Sequence, residues 1–171
     1  MVFLIIDLCC GKKGSTQSFL ENPNYEVITI DIDMKVKPTI VADVRYLPLK
    51  DNLKPALVWC SPPCNNLSLA KPKHWINSTI KDSFEIIGAC FDAVYRLKPK
   101  RWILENPRGR LKTMLPNSIE IEYETINEYQ KGKRKFKHKK TNLWSNDNRT
   151  LARAFIPKHI SNSILKWCEE K

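Results

Sequence analysis

The sequence predicts an α/β fold built on a mostly parallel sheet. Short apolar runs recur along the first 104 residues, and each one leads into a polar or charged residue. Runs without polar alternation are typical of strands buried on both faces, as in a parallel sheet. Between the fourth and fifth runs, apolar residues recur at alternating spacings of four and three from Ile80 to Val94, which predicts a helix. Strands and helices that share one chain in this way favour an α/β domain.

Length and composition fit one globular domain. The chain has 171 residues, of which 42% are hydrophobic and 27% charged, so it can bury a sizeable core and is not disordered. We therefore interpret residues 1–171 as a single domain. No apolar run is long enough to span a bilayer, and the first run lacks a basic leader, so we expect a cytoplasmic protein without a membrane partner. Its six cysteines are then expected to be reduced.

The positive charge is concentrated in the second half of the chain. Residues 1–95 hold ten Lys/Arg and ten Asp/Glu, whereas residues 96–171 hold nineteen Lys/Arg and eight Asp/Glu and so account for the whole net charge of +11. A one-sided excess of this kind suits a polyanionic partner such as DNA or RNA. A lysine-rich solvated surface is the alternative explanation.

The first predicted strand, at 2–6, stops at Asp7 and leads into a glycine turn. Gly11 and Gly14 form this turn, and a short helix is predicted near 15–21. Glycines let the backbone approach a ligand closely, and a helix N-terminus favours an anionic group. The turn is therefore a candidate ligand-binding element.

Two further predicted strands, at 25–33 and 39–44, also end in acids. Asp31 lies 17 residues past Gly14, and Asp43 lies near the end of the third strand. An acid about 20 residues past a glycine turn is typical of sheets that bind the ribose of a nucleotide. Both carboxylates are candidate binding groups.

The fourth strand, predicted at 56–59, is followed by a proline pair and a cysteine. Pro62 and Pro63 fix φ and remove two N–H donors, so the chain has to leave the sheet before Cys64. A thiol held on a loop at the carboxyl end of a strand is a candidate nucleophile. The alternative is a small packing residue, since cysteine is often buried.

The second half of the chain carries the remaining predicted elements. Thr79 and Asp82 have the spacing of a capping box at the start of the predicted helix. A fifth strand at 101–104 ends at Glu105, and residues 119–125 alternate as a half-exposed strand does. We expect the basic run 131–140 to form a loop or hairpin tip, residues 141–144 its return strand, and a last helix to begin near residue 156.

If the strands are parallel, five polar groups lie along one edge of the sheet: Asp7, Asp31, Asp43, Cys64 and Glu105. Ligands of open α/β sheets bind outside this carboxyl edge. These residues resemble the motifs of the C5-cytosine DNA methyltransferases, in particular the small phage or viral type that uses S-adenosylmethionine. The segments that carry the resemblance are Asp7–Gly14, Ser61–Ser68, Glu105–Leu111 and the basic stretch Gln130–Trp144.

The resemblance implies a three-layer, Rossmann-like class I methyltransferase fold with a seven-stranded sheet in the order 3-2-1-4-5-7-6 and its last strand antiparallel. It implies S-adenosylmethionine as cofactor and DNA as substrate, with RNA as an alternative. It also implies the following site residues. Cofactor binding falls to Asp7, Leu8, Cys9, Gly11, Gly14, Asp31, Ile32, Asp43, Val44, Ser61 and Pro62; catalysis to Cys64, Glu105, Asn106 and Arg134; and nucleic-acid binding to Lys71, Lys73, Arg108, Arg110, Lys133, Lys135 and Lys139.

The chain departs from the family pattern at several positions. Cys9 stands where the family has an aromatic residue, and Lys13 stands where it has a glycine. Few residues separate Thr141 from Pro157, where the family inserts a target-recognition region, so we expect no separate recognition domain. A homodimer or a separate specificity partner could then supply recognition.

Two other functions fit part of the sequence. Ser61-Pro62-Pro63 matches the first three positions of the motif of amino methyltransferases that act on cytosine N4 or adenine N6, although Cys64 replaces the aromatic residue that follows. The chain could instead be a catalytically silent relative that binds nucleic acid through residues 131–140. A zinc module is the weakest alternative, because the cysteine spacing does not match a zinc ribbon.

Overall fold

The computed structural model describes residues 2–64, 66–67, 80–107, 109–130, 133–146, 165 and 167–169. Seven strands form one sheet in the order β3-β2-β1-β4-β5-β7-β6, which confirms the predicted order. Strands β1 to β5 are parallel to one another, and β7 is antiparallel to both β5 and β6. The strands are β1 (Phe3–Leu8), β2 (Tyr25–Asp31), β3 (Ile40–Val41), β4 (Leu57–Cys60), β5 (Arg101–Pro107), β6 (Ile119–Gln130) and β7 (Lys133–Ser145).

Apolar side chains cover both faces of the sheet, as a three-layer fold requires. On one face, Val58 and Leu104 pack with Ile87 and Leu97 of helix α2 (Ile80–Leu97). On the other face, a second cluster comprises Ile5, Phe19, Leu57, Trp59, Ile103, Leu143 and Trp167. Each fully buried side chain of this size contributes about 1.5–3 kcal/mol of transfer free energy, so the two clusters hold the strands in place.

Helix α2 confirms the prediction of a helix that carries the apolar period 80–94 and ends just before Lys98-Pro99, but it buries a slightly different line of residues. Its buried positions are Ser83, Ile87, Cys90, Ala93 and Leu97, while Ile80 is exposed. The helix ends at Leu97, because the next residue, Lys98, has a φ of 51° that cannot continue an α-helix, and Pro99 follows. The predicted capping residue Thr79 lies outside the described residues. No helix in the described part of the chain has the length and apolarity to cross a membrane.

The second and third strands are shorter than the predictions 25–33 and 39–44. The Asp33 side chain accepts a hydrogen bond from the backbone of Lys35 and caps a 3-10 helix at Met34–Val36. Asp43 does the same for a second 3-10 helix at Val44–Tyr46. Short acids that bond to the backbone two residues ahead compete with sheet pairing, which explains why both strands end early.

Strand β5 is longer than predicted, and most of the basic run 131–140 belongs to the sheet. Strand β5 continues to Pro107 because Glu105, Asn106 and Pro107 pair with Leu143, Asn142 and Thr141 of β7. The prediction that residues 131–140 form a loop or hairpin tip is wrong for residues 133–140, which belong to β7 of the β6–β7 hairpin. Strand β6 extends to Gln130, not to residue 125. A short helix α3 (Arg110–Met114) was not predicted.

Two further predicted helices, near residues 15–21 and from residue 156 onward, correspond to helical residues in the structure. Helix α1 (Gln17–Leu20) occupies only the middle of the predicted stretch 15–21. In the last predicted helix, residues 165 and 167–169 are helical, and its start near residue 156 lies outside the described residues. The Trp167 side chain is fully buried, as the predicted apolar face required.

Asp7 lies inside strand β1, which runs to Leu8 and does not stop at this acid as predicted. Its side chain is fully buried, and the Thr16 hydroxyl donates a hydrogen bond of 2.6 Å to its Oδ2. The other oxygen, Oδ1, accepts no hydrogen bond from the described residues. Burial raises the pKa of Asp7 from 3.8 to about 7, although the Thr16 hydrogen bond opposes this shift.

We predict that Asp7→Asn removes a pH-dependent loss of stability. Between about pH 4 and pH 7 the folded protein keeps the Asp7 proton that the unfolded chain has lost, so folding is stabilised at low pH and this stabilisation falls as pH rises. The isosteric amide cannot titrate. The melting temperature of the variant minus that of the unmodified protein should therefore rise from pH 5 to pH 8, and a constant difference would contradict the prediction.

Candidate functional site

The loop that follows β1 folds against the end of β2. Cys9, Gly11 and Lys13 all have positive φ angles, of 57°, 47° and 60°. The Gly11 N–H donates a hydrogen bond of 2.9 Å to Asp31 Oδ2, and the Asp33 N–H donates one of 2.9 Å to Asp31 Oδ1. These contacts fix the carboxylate of Asp31 at the carboxyl edge of the sheet.

Two of the three left-handed positions in this loop hold side chains that disfavour this conformation. A left-handed residue other than glycine costs about 1–2 kcal/mol. The Lys13 Nζ also donates a hydrogen bond of 2.5 Å to the Lys37 carbonyl. The structure thus gives a reason for the glycine that the resemblance expects at position 13.

A cavity of about 180 Å³ lies next to this loop, at the carboxyl ends of β1, β2 and β4. Its polar lining consists of the two carboxylates Asp31 and Asp43, the Arg45 guanidinium and the Ser61 hydroxyl. Its apolar and remaining lining comes from Cys9, Ile30, Ile32, Ala42, Val44, Pro63 and Ile86. A concave site with apolar walls and a few convergent polar groups is the usual form of a small-molecule site.

The cavity brings together six of the eleven residues assigned to cofactor binding by resemblance: Cys9, Asp31, Ile32, Asp43, Val44 and Ser61. The other five, Asp7, Leu8, Gly11, Gly14 and Pro62, do not line it. Asp7, Leu8 and Pro62 are buried in the body of the protein, and Gly11 contacts the cavity only indirectly, through its hydrogen bond to Asp31.

Arg45 is a site residue that the sequence did not single out. Its Nη2 lies 2.5 Å from Asp43 Oδ2, and its Nε donates to both carboxylate oxygens at 3.0 and 3.1 Å. The guanidinium hydrogen bonds hold the pKa of Asp43 below its usual range. Arg45 neutralises Asp43, whereas the carboxylate of Asp31 has no such arginine partner among the described residues. An Arg two residues after a strand-ending Asp was the available signal.

The Pro62–Pro63 turn connects this cavity to the neighbouring strand. The Ser61 N–H donates to the Leu8 carbonyl at 3.0 Å, and the Trp59 indole donates to the Ser61 hydroxyl at 2.6 Å. The buried Asn106 amide donates to the Pro62 carbonyl at 3.4 Å. The same turn therefore lines the cavity and contacts β5.

Cys64 follows directly on this turn and is half-buried, and no disulfide involves any of the six cysteines. Its carbonyl accepts a hydrogen bond of 3.0 Å from the Leu67 N–H, and the Leu67 carbonyl accepts one of 2.8 Å from Arg110 at the start of α3. The backbone around the thiol is thus held between the proline turn and helix α3.

Glu105 lies within β5, next to the buried Asn106. The Thr141 hydroxyl of β7 donates a hydrogen bond to Glu105 Oε1. Because Cys60, the last residue of β4, pairs with Leu104, Glu105 lies one residue beyond the level at which the chain leaves β4 toward Cys64. Sequence reasoning did not identify Thr141, because its contact depends on the antiparallel pairing of β5 with β7.

The residues assigned to nucleic-acid binding are more scattered. Lys71, Lys73 and Arg108 lie outside the described residues. Arg110 is exposed at the first position of α3. The remaining three, Lys133, Lys135 and Lys139, occupy strand positions of β7, and so does Arg134, which the resemblance assigned to catalysis.

Comparisons with known proteins rest on structure, because no protein-family model and no curated protein matches the sequence. A protein from an E. coli prophage, assigned as a DNA modification methyltransferase, superposes with a TM-score of 0.58 at 13% identity. The match covers 91% of this chain and 51% of that one, so the chain spans about half the length of that protein.

Two further similar structures superpose less well. An assigned RNA methyltransferase from Pyrococcus horikoshii has a TM-score of 0.49 at 11% identity, with 84% of this chain and 74% of that chain covered. A precorrin-6y C5,15-methyltransferase from Geobacter metallireducens has a TM-score of 0.44 at 13% identity, with 84% and 79% covered. The strand order, the cavity at the carboxyl edge and the prophage structure together show that the chain has a Rossmann-like class I methyltransferase fold.

Proposed function

We propose that this protein transfers a methyl group from S-adenosylmethionine to C5 of cytosine in DNA. One observation carries the proposal, and it concerns the Pro62–Pro63 turn. Pro63 and the preceding Ser61 line the cavity, the Pro62 carbonyl accepts a hydrogen bond from Asn106, and Cys64 directly follows the turn. A donor site, a thiol and the strand that bears Glu105 are thus joined within a few residues. The prophage protein of the same fold, assigned as a DNA modification methyltransferase, agrees with this proposal.

The cavity suits the nucleoside part of the cofactor. Asp31 is held at the end of β2 by backbone N–H groups, in the position from which an acid can accept hydrogen bonds from ribose hydroxyls. Ile32, Val44 and Ile86 supply apolar surface for the flat faces of a purine. When bound, S-adenosylmethionine would supply an electrophilic methyl group on a sulfonium.

Cys64 supplies the nucleophile in the proposed reaction. C5 of cytosine is a poor nucleophile, but addition of the Cys64 thiolate to C6 makes C5 enamine-like and able to accept a methyl cation equivalent. Transfer of the C5 proton to a solvent base then restores the C5–C6 double bond, and the C6–S bond breaks with its electron pair leaving on sulfur as the Cys64 thiolate. A base in a duplex has to be flipped out first, at a cost of a few kcal/mol.

Glu105 is proposed to stabilise the adduct by donating a proton toward N3 of the base. That role requires a carboxyl group held in a fixed orientation. The hydrogen bond from Thr141 fixes one oxygen of Glu105, and Asn106 ties the same strand to the Pro62 carbonyl. Thr141 is therefore a positioning residue in this mechanism.

The first prediction concerns Cys64. Replacement by serine should abolish methyl transfer to C5, because the hydroxyl is a far weaker nucleophile at neutral pH. Transfer of a radiolabelled methyl group to DNA, followed by digestion to nucleosides, measures both rate and position. A covalent complex with DNA that contains 5-fluorocytosine should form with the unmodified protein and be lost in Cys64→Ser.

Cys168→Ser is the matched control for this experiment, because Cys168 is equally half-buried but lies on the last helix. It should keep both activities. Full transfer by Cys64→Ser, with the label on N4 or N6, would support the amino methyltransferase instead. Cofactor binding without transfer to any DNA or RNA would support the catalytically silent relative.

The second prediction concerns Glu105. Glu105→Gln keeps the shape of the side chain but removes its proton donor, and should lower the rate constant of transfer by about 10²-fold or more. Thr141→Val should cause a smaller loss, because it frees the carboxyl group without removing it. Single-turnover rates at saturating DNA measure both effects, and a Glu105→Gln protein of unchanged rate would contradict the role.

The third prediction concerns Asp31. Asp31→Asn should weaken binding of S-adenosylmethionine about tenfold, since hydrogen bonds to charged groups contribute about 1.5–3 kcal/mol. Isothermal titration calorimetry measures the dissociation constant without DNA. Asp51→Asn is the control, because Asp51 is an exposed acid bonded to Arg96 outside the cavity. Equal affinities of the Asp31 and Asp51 variants would contradict the assignment.

A further inference from the structure

The antiparallel pair β6–β7 extends well beyond the rest of the sheet. Strand β5 ends at Pro107, which pairs with Thr141 of β7. Beyond this point β7 continues through residues 140–133, and it pairs there with β6. We call these paired segments, 122–130 and 133–140, the ribbon. At about 3.4 Å per residue, eight residues of β7 reach about 25 Å past the sheet.

The ribbon projects from the edge that carries the candidate site. Pro107 is at the carboxyl end of β5, and β5 is parallel to β4, which ends just before Ser61. Residues 140 to 133 continue in that direction. At the base of the ribbon, Thr141 contacts Glu105, so the ribbon begins next to the proposed catalytic carboxyl group.

The strand register sorts the charged positions of the ribbon onto two faces. Residues directly opposite each other share a face, and alternate residues of one strand share it too. The pairs Tyr123–Lys139, Thr125–Lys137 and Asn127–Lys135 therefore belong to one face, which holds three lysines and no acid. On the other face, Glu122 lies opposite Lys140 and Glu124 opposite His138.

The lysine-bearing face is also the face of Thr141. Positions 135, 137 and 139 are separated from 141 by even numbers of residues along an uninterrupted register. The row of lysines thus starts two residues from the threonine that contacts Glu105 and leads away from the site. Arg134 and Lys140 occupy the opposite face by the same count.

We propose that this ribbon is a docking element for double-stranded DNA, in which Lys135, Lys137 and Lys139 contact phosphates along the major groove; this rests on the proposed function for the choice of DNA. A two-stranded ribbon fits the major groove of B-form DNA, which is about 12 Å wide. The major groove of A-form RNA is too narrow for such an element, and a single strand offers no groove. In this proposal the ribbon supplies DNA contacts in place of a target-recognition region, for which the few residues between Thr141 and Pro157 leave no room.

The test measures binding to a fluorescent DNA duplex in the Cys64→Ser background, without methyl donor, across a series of salt concentrations. The variant K135Q/K137Q/K139Q should bind at least tenfold more weakly at low salt. Because each lost phosphate contact lowers the slope of log Kobs against log salt by about 1, its slope should be smaller by about 2–3.

Two control proteins separate position from net charge and from folding. K50Q/K54Q/K98Q removes the same charge at three exposed lysines away from the ribbon, and should bind as its parent does. K135R/K137R/K139R keeps the charge and should restore affinity and slope. Circular dichroism and melting curves check that each variant folds. If the triple glutamine variant is unstable, the single variants K135Q, K137Q and K139Q should each lower the salt slope by about 1, and unchanged slopes in all three would overturn the proposal.

Single-stranded DNA and duplex RNA of the same sequence complete the experiment, and both should bind at least tenfold more weakly than the DNA duplex. The proposal is overturned if the ribbon variant binds like its parent, if the K50Q/K54Q/K98Q protein loses as much affinity, or if either other nucleic acid binds equally well.

The outcomes also distinguish this inference from the proposed function. Ribbon-dependent duplex binding by a protein that forms no covalent complex with 5-fluorocytosine DNA would overturn the C5 chemistry alone. A covalent complex formed through Cys64, together with duplex binding that does not depend on the three lysines, would overturn the ribbon alone.

Discussion

The parallel register of β1, β4 and β5 is the constraint on which the candidate site depends. Leu8, Cys60 and Leu104 lie side by side across these three strands. The turns after β1 and β4 therefore begin at the same level, and the Glu105–Asn106 pair of β5 lies just beyond that level at the same edge of the sheet. The two apolar clusters on the faces of the sheet hold this register.

Polar groups within this framework are fixed by a small number of hydrogen bonds. Asp31 accepts two backbone N–H groups, Asp43 is paired with Arg45, and Glu105 accepts from Thr141. Buried polar groups are costly unless they have partners, so each bond also restricts where its carboxylate can lie. Asp7 differs from these three acids, because burial raises its pKa to about 7 although Thr16 donates a hydrogen bond to it.

The same hydrogen bonds connect the site to the ribbon. Thr141 of β7 contacts Glu105 on β5 and directly follows the ribbon along β7, so the element proposed to bind DNA begins next to the residue proposed to act on the base. A rigid link of this kind would let docking of a duplex set the position of the flipped base. DNA binding by the ribbon and the proposed chemistry at Glu105 would then depend on neighbouring positions of the paired strands β7 and β5.

The sequence by itself determined the number and approximate positions of the strands, because buried parallel strands are continuous apolar runs and helix α2 has a clear apolar period. With the family resemblance it also gave the strand order and six of the cavity residues. Only the tertiary structure decided where the strands end. Asp7 stays within β1 because it pairs with Thr29 of β2 and Trp59 of β4. Strand β5 continues through Glu105 because β7 pairs with it, and residues 133–140 are a strand because β6 lies opposite. The ion pair of Arg45 with Asp43 is a contact between side chains, and the lysine-bearing face of the ribbon follows from the register of β6 and β7. Local hydrophobic patterns encode neither of them.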